Sequence, residues 1–555
     1  MTRKVVVTLT ILMMVGSAVG YKRGTAPSLR YIDKIEANVP NLGNPTPLIT
    51  PCDTFEPSAP DIRALLGSPG KNVAVKGDTV VAISGEYSGD PANIFNGVKA
   101  YYSFDGGNTW QSFYLSTTLC RRIYPGVIWP DAAGIQWTGS PSPLFFWHEA
   151  RFVGGVYQPS KVYIAWDILW PSGIFWVIEL PLSGEHNVWL PSADARGDMI
   201  VVTAFGFQSG LGFAWISNDG GNTWTIDTLS TTLTMDSPIP RIGSIPNYIT
   251  AISEVYTSYP WGEALVPYFF ESTDGGETWT AYNLWELAHG GNVPYDSCMG
   301  GWWYVYDYVL GAGDRPLIVW KYEKGQLEYG DVWFYKPTAG GPGNWQNWTY
   351  QLLVGNGNGD PIATQPYITI DPNTGMIFIV YNAYFILGGD TNNHIGVLGS
   401  EDEGTTWSLD TIWPGFDPFE EEAAELPVYS PSFNGLIPLH VTFCDRNLAP
   451  GDPLLHSGAL AISVKENAYK LSSKSILLNV KKVDKDILVN FSLPYPSNVD
   501  ISLYNLAGEK IATIYKGNES SGTIKYRASH LTKGVYFVKL LSSAGNSTAK
   551  LLLLK

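Results

Sequence analysis

Ser103-Phe104-Asp105-Gly106-Gly107-Asn108-Thr109-Trp110 is one of four copies of a Ser-x-Asp-x-Gly-x-Thr-Trp phrase in this chain. The others run from Ser217 to Trp224, from Ser272 to Trp279 and from Ser400 to Trp407. Their starts lie 114, 55 and 128 residues apart, which is two, one and two units of roughly 60 residues. A phrase repeated at a fixed period marks a repeat architecture, because each unit must bury its apolar face on a neighbour. Two skipped slots hold degenerate copies. One is Trp166-Asp167-Ile168 through Gly173 and Trp176; the other is Trp333 through Gly340, Gly341 and Trp345.

Each copy follows an apolar strand (Val98 to Tyr102, Leu211 to Ile216, Leu265 to Phe270, Ile395 to Leu398) and precedes another, so it occupies a hairpin turn. The glycines supply positive φ, and the aspartate accepts hydrogen bonds from turn amides. The tryptophan opens the next strand and buries a large apolar surface between units. Acidic residues are too few in each copy for a calcium cage of six or more oxygens. The expected role of Asp105, Trp110, Asp219, Trp224, Asp274, Trp279, Asp402 and Trp407 is therefore structural.

These phrases resemble the Asp-box (bacterial neuraminidase) repeats of sialidase-like β-propellers. The resemblance implies an all-β ring of blades, and it implies no activity by itself, since fold and function separate freely. An apolar strand precedes each slot by 20 to 25 residues: Thr79 to Tyr87, Leu144 to Ala150, Met199 to Phe205, Tyr248 to Tyr256, Leu317 to Glu323, Met376 to Ala383 and Ile437 to Asp445. Their Val, Ile and aromatic content and their Gly, Pro and Asn boundaries read as second strands of blades. Seven blades is the expectation, with six as the alternative if the last segment only closes the ring. Gly458 to Val464 supplies a third strand for that segment.

The chain opens with Arg3 and Lys4, an apolar run from Val5 to Val15 and the small residues Ser17-Ala18-Val19-Gly20, the pattern of a secretory signal peptide over 1–20. No later run is long enough to span a membrane. Formal charge is −16, which argues against a nucleic-acid partner, since phosphates need a basic face. Charge is uneven: from Lys470 onward 13 Lys plus Arg face 5 Asp plus Glu, leaving −24 for the rest. That sign change supports a boundary near 470. The expected division is a lead-in over 21–69, the propeller over 70–468 and a C-terminal module over 469–555. Neither CxxC nor HExxH spacing occurs, so no metal or other cofactor is expected. Of the cysteines, Cys52 in the lead-in and Cys444 in the last second strand are candidates for a disulfide across the closure of the ring, while Cys120 and Cys298 pair only if two connections fold over the mouth.

The C-terminal module reads Ile487 to Pro494, Val499 to Glu509, Lys533 to Leu540 and Lys550 to Lys555, alternating apolar strands with Gly and Asn turns. This is the pattern of a small immunoglobulin-like β-sandwich. The Tyr504-Asn505-Leu506-Ala507-Gly508 turn, the Gly534-Val535-Tyr536-Phe537 strand and the Lys-ended apolar terminus resemble the type A sorting domain of the type IX (Por) secretion system. That resemblance implies the secretion machinery as a partner and a secreted or outer cell-surface destination.

In such a ring the motif turns share one face, and the functional mouth opens on the other. Candidate acids there are Glu86, Glu149, Glu254 and Glu323, at the ends of second strands. Candidate ligand contacts are Tyr87, Arg121, Arg122, Tyr124, Arg151, Arg241, Tyr256, Tyr322, Tyr384, Asp445 and Arg446. Tyrosine faces stack on sugars, and carboxylates bind hydroxyls or act as acid and base. Two readings stand. One is a non-catalytic module binding an extracellular glycan or protein; the other is a glycoside hydrolase, sialidase-like or xyloglucanase-like, which needs two carboxylates across the mouth. The sialidase resemblance further implies three arginines and an Arg-Ile-Pro motif ahead of the first Asp-box. Here Arg122-Ile123-Tyr124-Pro125 follows that box and carries an insertion, which argues against sialidase chemistry.

Overall fold

All seven expected second strands are strands: Thr79–Tyr87, Leu144–Val153, Met199–Gly206, Ile249–Tyr259, Pro316–Tyr322, Ile377–Leu387 and Leu436–Asp445. The computed structural model describes residues 53–56, 71–87, 94–129, 142–154, 156–182, 187–259, 262–289, 306–322, 330–355, 363–387, 390–413, 421–432, 436–445, 454–462, 477–483, 486–505, 510–528, 531–532, 534–542 and 545–553. The signal-peptide reading, most of the lead-in, Cys52, Cys298, Glu323 and Arg446 lie outside them.

These strands are apolar on both faces because both faces are covered. In Met199–Gly206, consecutive Ile200, Val201 and Val202 are all buried, the first and third in one apolar cluster and the second in its neighbour. Each second strand sits inside an up-and-down antiparallel meander. Four sheets hold one such meander of four strands each, beginning with Val188–Arg196, Thr234–Ile242, Tyr306–Leu310 and Ala363–Ile370. A ten-stranded sheet holds two more, beginning with Val73–Lys76 and Gly126–Ile128. They are fused by Cys120–Ile123, which pairs with both Ile94–Ser103 and Leu144–Val153. The last sheet takes Glu421–Glu425, Leu436–Asp445 and Leu454–Ile462 from one end of the chain and Asp53–Glu56 from the other.

The first strand of each meander touches that of the next: Gly126–Ile128 meets Val188–Arg196, which meets Thr234–Ile242, then Tyr306–Leu310, Ala363–Ile370 and Glu421–Glu425. Val73–Lys76 closes the circuit, touching both Leu436–Asp445 and Gly126–Ile128. A closed circuit of meanders sharing an inner wall is a β-propeller, and closure removes long exposed sheet edges.

The four motif turns share one Ser–Asp–Thr hydrogen-bond pattern, while the indole donates to a turn glycine carbonyl at Trp224 and Trp279 and to Gln351 Oε1 at Trp407. In the third copy, Ser272 Oγ accepts the Gly276 amide at 2.8 Å and donates to Asp274 Oδ1 at 2.7 Å. Asp274 then accepts the Thr278 amide at 3.0 Å and the Thr278 hydroxyl at 2.5 Å. The Thr278 hydroxyl and amide, followed by Ser272, hold the Asp274 carboxyl at about 2, well below its usual range. Trp279 turns back to donate to Gly276 O at 3.1 Å and packs on the core between sheets. The degenerate slot at Trp166 keeps the logic with shifted residues, since Asp167 accepts the amides of Leu169 and Gly173 and the Ser172 hydroxyl. The slot at Trp333 is a long hairpin instead, Asp331–Gly341 with Asn344–Val354, and Trp345 anchors it by donating to Tyr248 Oη at 2.9 Å.

The C-terminal residues form a separate five-stranded sheet. Two of the expected strands run together as Asp486–Asn505, whose pairing with Lys510–Arg527 lapses between Ser492 and Ser497. Pro494 and Pro496 fall in that gap, where a residue without an N–H costs no ladder bond. Alternate residues Ile487, Val489, Val499, Ile501 and Leu503 enter one core with Val538 and Leu540.

Candidate functional site

Amides of the motif turns identify the two faces of the ring. Gly106, Gly220 and Gly275 donate to the carbonyls of Asp78, Asp198 and Asn247, each in the turn between the first and second strands of its own sheet. Both kinds of turn therefore share a face. The loops between second and third strands, and the connections between sheets, lie at the opposite face and frame the mouth.

Three of the four candidate acids lie among the described residues, and each is already engaged. Glu86 pairs with Lys99 at 2.5 Å and accepts the Tyr114 hydroxyl at 2.9 Å. Glu149 is buried, with Arg151 Nε at 2.6 Å, Ser116 Oγ at 3.2 Å and the Trp147 indole at 3.3 Å. Glu254 is buried and accepts the Trp320 indole at 3.2 Å.

Among the ligand candidates, Arg151 lies over the Tyr163 ring at 4.4 Å while holding Glu149. Tyr322 is buried in a stack on Trp285, with centroids 5.5 Å apart. Tyr124 is buried against His148, whereas Tyr256 is 46% exposed. Burial, followed by the charges of Asp236 and Glu254, pushes the Tyr256 phenol up to about 12. Arg121 and Arg122 lie on Cys120–Ile123, Tyr87 ends Thr79–Tyr87, Tyr384 lies on Ile377–Leu387 and Asp445 ends Leu436–Asp445. The side chains of these five, and that of Cys444, are outside the described set. Cys120 carries a free, buried thiol, which removes the expectation of a bridge from it to Cys298.

Arg241 departs from expectation. Expected as a ligand contact at the mouth, it lies within the inner strand Thr234–Ile242 and is buried. Its guanidinium donates to Asp307 Oδ1 at 3.4 Å and to Tyr308 O at 3.2 Å. Asp307 also pairs with Lys71 and accepts the Ile368 amide at 2.8 Å, while Lys71 Nζ donates to Ile368 O at 2.7 Å. Asp194 accepts the Ile242 amide at 2.7 Å, and burial raises its carboxyl to about 6. The inner strands are thus tied to one another across the ring by buried ions with mutual partners, the condition under which buried charge is tolerated.

Two features of the mouth carry no motif. Asp236 faces Glu254 in register across Thr234–Ile242 and Ile249–Tyr259, and burial raises its carboxyl above the usual range. Both acids act on Tyr306, whose hydroxyl donates to the carbonyls of Asp236 and Ser237. The second feature is a column of rings: Tyr124, His148, Trp189 and Phe207, with successive centroids 5.2, 6.1 and 4.4 Å apart. Adjacency of separate sheets brings Tyr306 to Asp236 and His148 to Trp189. The one sequence hint was a polar residue, Asp236 or His148, inside an apolar strand.

No curated protein matches the chain. In fold it is similar to an α-L-arabinofuranosidase of Fusarium graminearum, with 13% identity, TM-score 0.40, 63% of this chain and 97% of that one covered. It is also similar to a Trypanosoma rangeli sialidase, with 9% identity, TM-score 0.35 and coverage of 88% and 84%, and to the polysaccharide lyase Uly1, with 9% identity, TM-score 0.40 and coverage of 71% and 90%. Likeness at this level assigns no activity. Residues 483–554 match a secretion system C-terminal sorting domain, and the chain is accordingly exported through type IX secretion to the cell surface or the medium.

Proposed function

We propose that the protein is a non-catalytic binding propeller of seven blades, carried out of the cell by an immunoglobulin-like sorting module, that takes an extracellular glycan or protein at its mouth. The observation that carries this reading is the engagement of Glu86 by Lys99 and of Glu149 by Arg151 within the protein. An acid spent on an arginine or lysine is a poor proton donor to a substrate. Arg241 is likewise committed to Asp307 inside the ring, and Arg151 to Glu149, so both guanidiniums are spent within the protein rather than on a substrate carboxylate.

A second reading rests on Asp236 and Glu254. Directly opposed residues on antiparallel strands have Cβ atoms about 4.5–5.5 Å apart. Retaining glycosidases hold their two carboxyl groups about 5–5.5 Å apart. A raised Asp236 carboxyl beside a second acid suits a proton donor and a nucleophile.

The full-length secreted protein, screened on a glycan array and against a panel of fluorogenic glycosides, separates the two. Array binding without turnover is the expected result. Turnover abolished by Glu254→Gln or Asp236→Asn would replace the binding reading with the hydrolase.

A further inference from the structure

We propose that His148 is a proton-operated latch that keeps the mouth of the ring closed near neutral pH and lets it open on acidification. His148 lies on Leu144–Val153 and is 1% exposed. Its Nδ1 accepts the backbone N–H of Leu190 at 3.2 Å. A ring nitrogen that accepts carries no proton, so the imidazole is neutral with its proton on Nε2. Tyr124 on one side and Trp189 on the other, the latter within 7° of parallel, fix the ring plane.

Leu190 is an unusual residue to hold. Its φ is 52°, in the left-handed region that a side chain with a Cβ disfavours. It falls in the irregularity between Trp189 and Ser192, where the ladder to Met199–Gly206 is interrupted. Its side chain is buried in one apolar cluster with Tyr124, Tyr367 and Leu426. Tyr367 belongs to Ala363–Ile370 and Leu426 follows Glu421–Glu425, inner strands on the far side of the ring from Val188–Arg196. Leu190 therefore plugs the interior at the mouth end, and the bond to His148 offsets the strain of its backbone.

A proton on Nδ1 inverts that contact. The imidazolium donates from both nitrogens and accepts from neither, so N–H then faces N–H. Among the described residues, Tyr124 from the preceding connection, Trp189 from Val188–Arg196 and Tyr367 from Ala363–Ile370 face this region, and Cys120–Ile123, which carries Arg121 and Arg122, pairs with the His148 strand. Lys71 lies over the Tyr367 ring at 5.1 Å and is paired with Asp307. Lys161–Asp167 sets Val162 opposite His148, and Glu149 lies on the other side of the strand with Arg151 and Trp147. Opening separates Leu190 from the plug and admits water to the imidazolium.

Hydrogen exchange of the segment containing Leu190, in the full-length protein at about pH 7.5 and about pH 5 with times scaled for intrinsic exchange, tests the latch. Wild type is expected to exchange about tenfold faster there at the lower pH, with Gly262–Ser272 unchanged. His148→Asn offers an amide oxygen near the Nδ1 position at any pH and should stay protected at both. His148→Phe has no acceptor and should exchange fast at both. Wild-type protection that ignores pH would overturn the proposal, and so would a His148→Asn variant that opens on acidification as wild type does. Because the readout is backbone exchange, it fails or succeeds independently of which ligand the mouth takes.

Discussion

Glu403 stands where the other motif copies have Gly106, Gly220 and Gly275, and its φ of 52° lies in the left-handed region that those glycines enter without strain. The substitution is held in place by what the side chain reaches. Its carboxylate accepts the Ala312 amide and the Arg315 guanidinium, each at 2.5 Å, across the boundary with the neighbouring sheet. Lys336 Nζ adds a bond to the Glu403 carbonyl at 2.8 Å. Asp314, itself at a φ of 60°, does the same service one sheet earlier by accepting the Ser244 amide and hydroxyl and the Ile245 amide. Glu403→Gly relieves about 1 kcal/mol of backbone strain and removes two charge-assisted bonds of about 1.5–3 kcal/mol each, discounted for partial exposure. Urea unfolding should therefore show a net loss of about 1–2 kcal/mol. A variant more stable than wild type would mean the strain outweighs the clamp.

At the scale of elements, the four-residue strand Asp53–Glu56 completes a sheet whose other members begin at Glu421. Asp53 pairs with His456 and Thr54 with Leu455, so the end of the ring is sewn to its beginning by a very short ladder. Replacing the strand by a Gly/Ser stretch of equal length should speed hydrogen exchange in Leu454–Ile462 and lower Tm. Exchange in Gly212–Ser217, far around the ring, should remain as in wild type. Exchange that rises equally in both segments would show that closure is carried elsewhere, with the axial Lys71–Asp307 pair as the first candidate. The motif strands needed no such long-range information. Their turn chemistry lies within eight consecutive residues, which is why every second strand and every motif hairpin was legible in the sequence. The bridging strand Cys120–Ile123 was not, because it exists only where two meanders share an edge.

For the molecule as a whole, acid should weaken the fold at His440 before it reaches the motif aspartates. Burial lowers the His440 imidazole to about 4, so the folded state resists a proton that the unfolded chain accepts at its ordinary value near 6.5. This stability is fully present above about 6.5 and is lost as pH falls toward 4, amounting to about 3 kcal/mol. The depressed motif aspartates, with Asp274 at about 2, lose theirs only at more acid pH. Comparing wild type with His440→Gln by urea unfolding at about pH 7 and about pH 4 isolates the first step. The advantage of the variant at the lower pH should approach that figure, and equal pH sensitivity in the two proteins would assign the step to another group. Charge and repeat period were properties of the chain alone, and with the local turn chemistry they determined an all-β ring and an export tail. Which polar side chains meet was decided only by closure. Lys71 finds the carbonyl of Ile368 297 residues away, Arg241 turns inward to Asp307, and His148 reaches Leu190 in the next sheet. A turn is specified by neighbours along the chain, whereas a mouth is assembled from strands that only the closed ring makes neighbours.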